Sequence, residues 1–290
     1  MLKLITKKEE KLSKYLNEYE GLGFNKIQAL FRKKDIKVNG KRAKEDYILN
    51  VGDQIELYCS FDYFFDIKKI YEDDNILIVN KPKKLEVISQ TKNISLLNLI
   101  NPEYFAVHRL DFNTEGLVVF AKNINAKQEL DHAFKNSKIE KHYITICKNL
   151  PFKDEIIFQD FLVKNDKNVK IYKNQVPNSK KVITKIKVLK KSEKLSLLDI
   201  NLLTGKTHQI RAHLSFHNLP IVGDEKYGDF QINKILQLKS QVLRCYEIKF
   251  DKFKNHLKYL NGKKFITSTE DVYGLFEQIN SLYNIWNIIT

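Results

Sequence analysis

The residues best suited to chemistry lie together in the stretch His108-Arg109-Leu110-Asp111-Phe112-Asn113-Thr114-Glu115-Gly116. Asp111 is a carboxylate with a guanidinium, Arg109, and an imidazole, His108, close by in sequence. A neighbouring cation favours the charged form of a carboxylate, and a charged carboxylate can serve as a nucleophile or a base. An Asp in such a turn commonly caps its own backbone instead. The pattern Asp111-x-Asn113-x-Glu115-Gly116 also copies the first half of a calcium loop. Its twelfth position, however, is Lys122 where a bidentate Glu is required. Calcium is excluded.

The run behind Asp111 must position it. Residues 117–121, Leu-Val-Val-Phe-Ala, are short, apolar and rich in β-formers, which predicts a buried strand. Gly116 opens that strand, and Asn113-Thr114 supply turn chemistry before it. Asp111 is therefore expected on a loop at the mouth of a rigid element. A second chemical block is Thr204-Gly205-Lys206-Thr207-His208-Gln209-Ile210-Arg211-Ala212-His213. Gly205-Lys206-Thr207 ends like a phosphate-binding loop, but Ile200 stands where its first Gly belongs. His213 and His217 have the spacing of a zinc protease pair, yet Leu214 replaces the required Glu. Cys59, Cys147 and Cys245 are too scattered for a disulfide framework or a zinc site. Neither a metal nor a cofactor is expected.

His-Arg-Leu-Asp, two residues, Thr-x-Gly-Leu and a strand ending Phe-Ala-Lys together resemble the signature of the RluA-type pseudouridine synthases. The resemblance implies that Asp111 is the catalytic residue and that Arg109 helps displace the target base. The second block resembles the same family's Thr-Gly-basic-Thr-His-Gln-Ile-Arg-x-His motif. It implies an ion pair between Arg211 and Asp111, for which a bidentate guanidinium would fix the carboxylate's orientation. His108, Lys206, His208 and Gln209 are then expected to contact substrate. Lys141-His142-Tyr143 fits the family's Lys-x-Tyr, whose Tyr stacks on the target base and is held to help remove the C5 proton; this implies Tyr143. Residues 76–82, ending Lys81-Pro82, and 219–228 continue the resemblance. Four positions depart from it: Lys84 replaces a Gly, Ile88 a His, Glu115 a Ser, and Arg244 the His of Leu-His-Ala. Losing the Gly is expected to alter the loop, since a turn tolerant of positive φ goes with it.

The fold implied is α+β, with a mixed, mainly antiparallel central sheet of the pseudouridine synthase type over residues 70–250. Residues 59–69 read as a linker and 251–290 as a carboxy-terminal extension with a possible helix over 272–285. Residues 1–58 read as a separate unit. Leu12, Tyr15, Leu16 and Tyr19 have helical spacing, as do Ile27, Leu30 and Phe31, while 36–40 and 52–57 are strand-like. This order resembles the small αL RNA-binding module of ribosomal protein S-four. The implied RNA face is Lys26, Arg32, Lys33, Lys34, Lys37, Lys41 and Arg42, making phosphate contacts that position RNA without reading its sequence.

Fifty Lys and Arg against 35 Asp and Glu give a net charge of +15. That excess points to a polyanionic partner, nucleic acid before membrane surface. Residues 164–191 hold ten lysines and one acid, Asp166, a stretch suited to tracking phosphates. No run has the length of a signal peptide or a membrane span, so a cytoplasmic monomer acting on RNA is expected, with large-subunit ribosomal RNA ahead of transfer RNA. Isomerising uridine breaks the N-glycosidic bond, turns the base and rejoins it through C5. This is redox-neutral and needs one carboxylate, where a glycoside hydrolase ordinarily pairs two. Asp111 would attack the sugar or take a proton from it. The base must leave its stack first, which favours looped RNA as the target.

Overall fold

The computed structural model describes residues 2–18, 24–43, 47–58, 67–89, 95–151, 153–165 and 168–289. The amino-terminal elements are β1 (Leu2–Ile5), β2 (Glu10–Lys11), α1 (Leu12–Glu18), α2 (Phe24–Lys33), β3 (Ile36–Val38), β4 (Lys41–Arg42), β5 (Ile48–Leu49) and β6 (Gln54–Leu57). One sheet runs β1-β6-β3-β4, and β2 pairs with β5. Leu12, Leu16, Ile27, Leu30, Ile36, Ile55 and Leu57 form a core of their own, sharing no member with that of the large sheet. The helical spacings read from sequence therefore mark buried faces, although Tyr19 lies outside the described residues. Asn39 and Gly40 join β3 to β4 with φ of 50° and 77°, the left-handed pair that matches strand twist in a tight hairpin.

The rest of the chain builds β7 (Lys68–Glu72), β8 (Ile76–Lys81), α3 (Leu96–Ile100), β9 (Phe105–Ala106), β10 (Glu115–Ala121), α4 (Ile124–Lys135) and β11 (Ile139–Lys148). There follow β12 (Glu155–Asn165), β13 (Asn168–Tyr172), β14 (Lys180–Lys191), β15 (Leu195–Leu202), α5 (Gln209–Phe216), α6 (Phe230–Ile235), β16 (Leu243–Phe250), β17 (Lys264–Ile266) and α7 (Glu270–Ile289). An 11-stranded sheet runs β13-β12-β14-β15-β11-β16-β10-β8-β7, with β17 on β16 and β9 on β10. Its described pairings are antiparallel except β10 with β16. The expected mixed, mainly antiparallel sheet is present. The carboxy-terminal residues join it: β17 extends the pairing of β16, and Val272, Phe276 and Ile279 of α7 pack with Ile144, Ile146, Leu195 and Leu197.

The parallel contact sets the geometry ahead of β10. Gly116 faces Cys245 with φ +116°, and a Cβ there would lie 2.1 Å from the Cys245 carbonyl oxygen. Only glycine lets β10 begin this close to β16, and the loop leaving that point carries Asp111. Behind it, Leu117 to Ala121 are fully buried on both faces, as expected of a strand covered on each side. His108 ties the loop to the strand. Its Nε2 accepts the Val119 N–H at 2.9 Å, and its ring stacks on Phe134 of α4 at 4.5 Å. Burial, helped by the charge of Lys141, pulls the imidazole down to about 3. His108 is thus neutral, and the expectation that it supplies a cation beside Asp111 is corrected: its lone pair is already engaged by the backbone.

Two further departures correct each other. Glu115 and Arg244 are register partners on β10 and β16, and Arg244 Nη2 lies 3.2 Å from Glu115. Arg244 also donates to both carboxylate oxygens of Asp271 on α7 and to the Ser268 carbonyl. The loop at Lys84 keeps its turn, because Lys84 itself adopts φ 60°. The expected change of loop shape is replaced by left-handed backbone at a non-glycine residue, which costs roughly 1–2 kcal/mol.

A Gly116→Ala variant should lose about 2 kcal/mol to strain and displaced backbone, lowering the melting temperature by at least roughly 4 °C. An unchanged melting curve would show that β10 and β16 separate freely. His108 has an ordinary value of 6.5 and a much lower one when folded, so the unfolded chain binds the extra proton and stability falls as pH drops from 6.5 toward 3. His108→Asn keeps an acceptor that does not titrate. Its melting temperature should fall less steeply than that of wild type between pH 6.5 and roughly 4, and parallel profiles would refute the role assigned to His108.

Candidate active site

Asp111 sits on a turn whose backbone is held on both sides. Its carbonyl accepts the Thr114 N–H at 3.0 Å, and buried Thr114 is held in turn by Gln241 at 3.2 Å. The next carbonyl, of Phe112, accepts from the Lys81 ammonium at 3.2 Å and the Leu85 N–H at 3.3 Å. Lys81 is fully buried and also donates to Pro82 and Leu85 carbonyls at 2.8 and 2.7 Å, three acceptors for the three N–H bonds of an ammonium. Burial lowers Lys81 to about 7, against the opposing charges of Asp111 and Glu115. Sequence reading saw Lys81-Pro82 only as a strand end; that it ties β8 to the loop of Asp111 is visible only in three dimensions.

Arg211 projects from the first turn of α5. Its fork faces Asp224: Nε donates to Oδ2 at 2.7 Å and Nη2 to Oδ1 at 3.0 Å. Only Nη1 reaches Asp111, at 3.1 Å from Oδ2. The implied ion pair of Arg211 with Asp111 is present, but the bidentate partner is Asp224, a residue that sequence reading did not select. Asp224 is 1% exposed, and its Oδ1 also accepts the backbone N–H groups of Lys226 and Tyr227 at 2.9 and 3.0 Å. Burial would raise Asp224, but the hydrogen bonds and charge of Arg211 outweigh it and hold the carboxyl below its ordinary value. Among the described residues Asp111 Oδ1 accepts no hydrogen bond, so one oxygen is held and the other is left for chemistry.

His208 enters α5 in left-handed backbone, φ 52° and ψ 17°. Its Nδ1 lies 3.0 Å from the Tyr227 hydroxyl and its Nε2 3.9 Å from Asp111 Oδ2. Burial lowers its affinity for a proton, and Asp111 only partly opposes this. Gln209, expected to contact substrate, lines the cleft with its amide turned to the protein. Its Oε1 accepts from Thr204 and the Lys206 N–H at 2.9 and 3.1 Å, and its Nε2 donates to the Ile183 carbonyl and Thr184 at 3.2 and 3.1 Å. With both ends of the amide engaged, Gln209 braces the loop.

Asp111, Arg109, Tyr143, Lys206, His208 and Arg211 line one cleft of about 390 Å³, within the range of small-ligand sites. His108 forms part of its wall. Arg109 and Lys206 are exposed at the rim. A second hollow of about 210 Å³ shares Asp111 and is walled by Glu86, Phe112, Asn113 and Gln241. Tyr143, on β11, is 5% exposed. Burial first, and then the Cys245 thiol, raise its hydroxyl well above the ordinary tyrosine value, so it is a neutral phenol. Lys141, two residues before Tyr143, also lines the cleft, with its affinity for a proton reduced by burial. The period of a strand could have found it, since residues two apart share a face. The basic residues of 1–58 lie in α2 and after it: Arg32, Lys33, Lys34, Lys41 and Arg42 are exposed, and Lys37 lies 4.7 Å above the Tyr58 ring. Lys26 belongs to α2, its side chain lying outside those described.

Comparison with known proteins bears on this arrangement. Residues 75–216 match the family model described as RNA pseudouridylate synthase. An RNA pseudouridine synthase of Mycoplasma capricolum subsp. capricolum is 32% identical over 93% of this chain and 98% of its own length. Ribosomal large subunit pseudouridine synthase C of Rickettsia bellii is 34% identical over 76% of this chain and 83% of its own, and that of Buchnera aphidicola subsp. Baizongia pistaciae is 30% identical over 83% and 84%. In fold, Human RNA Pseudouridylate Synthase Domain Containing 4 superposes with a TM-score of 0.57 at 21% identity, covering 69% of this chain and 87% of that one. A match of 32% identity along almost the whole length of a pseudouridine synthase, together with the family match over residues 75–216, places the chain in the RluA-type family of RNA pseudouridine synthases.

Proposed function

We propose that this synthase converts uridines of large-subunit ribosomal RNA to pseudouridine, with Asp111 as the reacting carboxylate. The observation that carries the reading is the unequal treatment of its two oxygens: Oδ2 is fixed by Arg211 while Oδ1 accepts no hydrogen bond among the described residues, in a cleft that Tyr143 also lines. The relatives in Rickettsia bellii and Buchnera aphidicola, named for the large ribosomal subunit, support the choice of RNA. The target base enters the cleft flipped from its stack, at a cost of roughly a few kcal/mol. Arg109, exposed and without a hydrogen-bond or ion-pair partner among the described residues, is free to fill the space the base leaves. Tyr143 offers its ring as a stacking surface. A neutral phenol is a poor base, which argues against this residue taking the C5 proton by itself and leaves it the task of packing.

Phosphates on either side would be held by two basic regions. One is residues 1–58, read as an S-four-like module whose contacts run from Lys26 through Arg32, Lys33, Lys34, Lys37, Lys41 and Arg42. The other is the lysine-rich β12 to β14 region. Part of its charge is internally paired, Lys185 and Lys187 with Glu155, Lys191 with Asp154 and Lys190 with Glu277. Lys164, Lys170, Lys180 and Lys181 form no ion pair among the described residues and are the better candidates. Losing one phosphate contact should weaken binding without changing which sequence is preferred.

Tritium release from RNA labelled at uridine C5 tests the chemistry. Wild type should release label from large-subunit ribosomal RNA and not from transfer RNA, and Asp111→Asn should reduce release at least roughly a hundredfold. Undiminished release in the variant would remove Asp111 from the mechanism, and release from transfer RNA alone would overturn the substrate. Asp224→Asn tests the anchor. Weakening a buried pair should cost roughly 3 kcal/mol of stability and slow release by tenfold or more. A variant as stable and as active as wild type would show that Arg211 holds Asp111 without help.

A further inference from the structure

A second cluster of ligand-type side chains lies outside the cleft. Asp160 on β12 is fully buried, and its Oδ2 lies 2.9 Å from His213 Nε2 and 2.6 Å from His217 Nε2. All three ligand atoms fall within 4.8 Å of one another. His213 is fully buried, while the His217 side chain is 18% exposed. Asp160 Oδ1 is buried and accepts no hydrogen bond; its nearest charge is the ammonium of Lys173, 3.4 Å away on a side chain 71% exposed. A wholly buried carboxylate whose second oxygen meets, among the described residues, only the ammonium of an exposed lysine is a costly arrangement unless it serves to bind something.

We propose that Asp160, His213 and His217 form a structural site for a divalent transition metal, zinc by its donor set. Two imidazoles and a carboxylate are zinc ligands. Residues four apart on a helix share a face, which brings His213 and His217 together, and β12 supplies the carboxylate beneath them. The ring orientations are already set. Thr184 Oγ1 meets His213 Nδ1 at 2.9 Å, and Gln209 Nε2 donates to that same hydroxyl at 3.1 Å. Phe158 stacks on His217 with ring centres 3.7 Å apart. Such outer contacts direct the other ring nitrogen at a metal. Lys173 is exposed enough to swing aside, leaving the edge of His217 as the route of access. The zinc protease pattern missed this site because its third ligand lies 53 positions before His213 in sequence. The ion would tie α5, which carries Arg211, to the sheet.

The test is calorimetric titration of the chelator-treated full chain with zinc sulfate, with melting curves alongside. Wild type should take up one equivalent at micromolar or tighter affinity, with a melting temperature raised by several degrees at excess metal. His217→Ala, changed at a partly exposed helix end, should fold without metal and bind zinc at least tenfold more weakly; Asp160→Asn should do the same. Cobalt gives a readout that does not depend on any variant. Strong visible bands of a four- or five-coordinate ion are expected. No saturable zinc uptake, equal uptake in wild type and His217→Ala, or the weak spectrum of a six-coordinate cobalt ion would each overturn the site.

Discussion

Everything at the cleft depends on how one guanidinium divides itself. Arg211 gives its two-pronged edge to Asp224 and a single N–H to Asp111. A buried arginine without a partner would be severely destabilising, and Asp224, itself held by two backbone N–H groups, removes that cost. Asp111 is thereby relieved of neutralising Arg211 alone. Had the fork closed on Asp111, both carboxylate oxygens would be engaged. The division fixes the orientation of one oxygen and leaves the other without a hydrogen bond among the described residues.

That division works only if two separate elements arrive in register. Arg211 comes with α5, whose first turn is set by the left-handed backbone of His208 and the inward amide of Gln209. Asp111 comes with β10, whose starting point is set by the Gly116 contact with Cys245. Lys81 then pins the Phe112 carbonyl from β8. The pair Glu115 and Arg244 reinforces the same parallel junction and extends it through Asp271 to α7. Two residues that look like separate departures from the family motif are one ion pair across the junction.

What the sequence made legible follows from range. Residues 117–121 declare a buried strand by composition, and the helical spacing of Leu12, Leu16, Ile27 and Leu30 marks real buried faces. The motif residues Asp111, Arg211 and Tyr143 do converge on one cleft. Strands of two to four residues, such as β1, β2 and β5, carry too few positions for a period to show. Side-chain partners were not legible. The neutrality of His108 comes from burial and from Lys141 on a later strand, and the amide of Gln209 is engaged by Ile183 and Thr184 of β14. Asp224 could be read only as part of a continuing motif, because its importance lies in a geometry that spacing does not encode.

The charges around the cleft also resolve a conflict built into the reaction. A carboxylate must meet a polyanion, and a bare Asp111 beside Asp224 would repel it. Arg211 lies between the two acids, while Arg109 and Lys206 at the rim and Lys141 in the wall surround them, so the approaching backbone meets net positive potential. His108 and His208 add no charge to this balance, because burial holds both imidazoles toward the neutral form. Their neutrality leaves the positive potential to the arginines and lysines. The attraction for RNA is thus separated from the hold on Asp111: cations at the rim face the approaching backbone, while Arg211, itself anchored by Asp224, fixes one oxygen of the carboxylate.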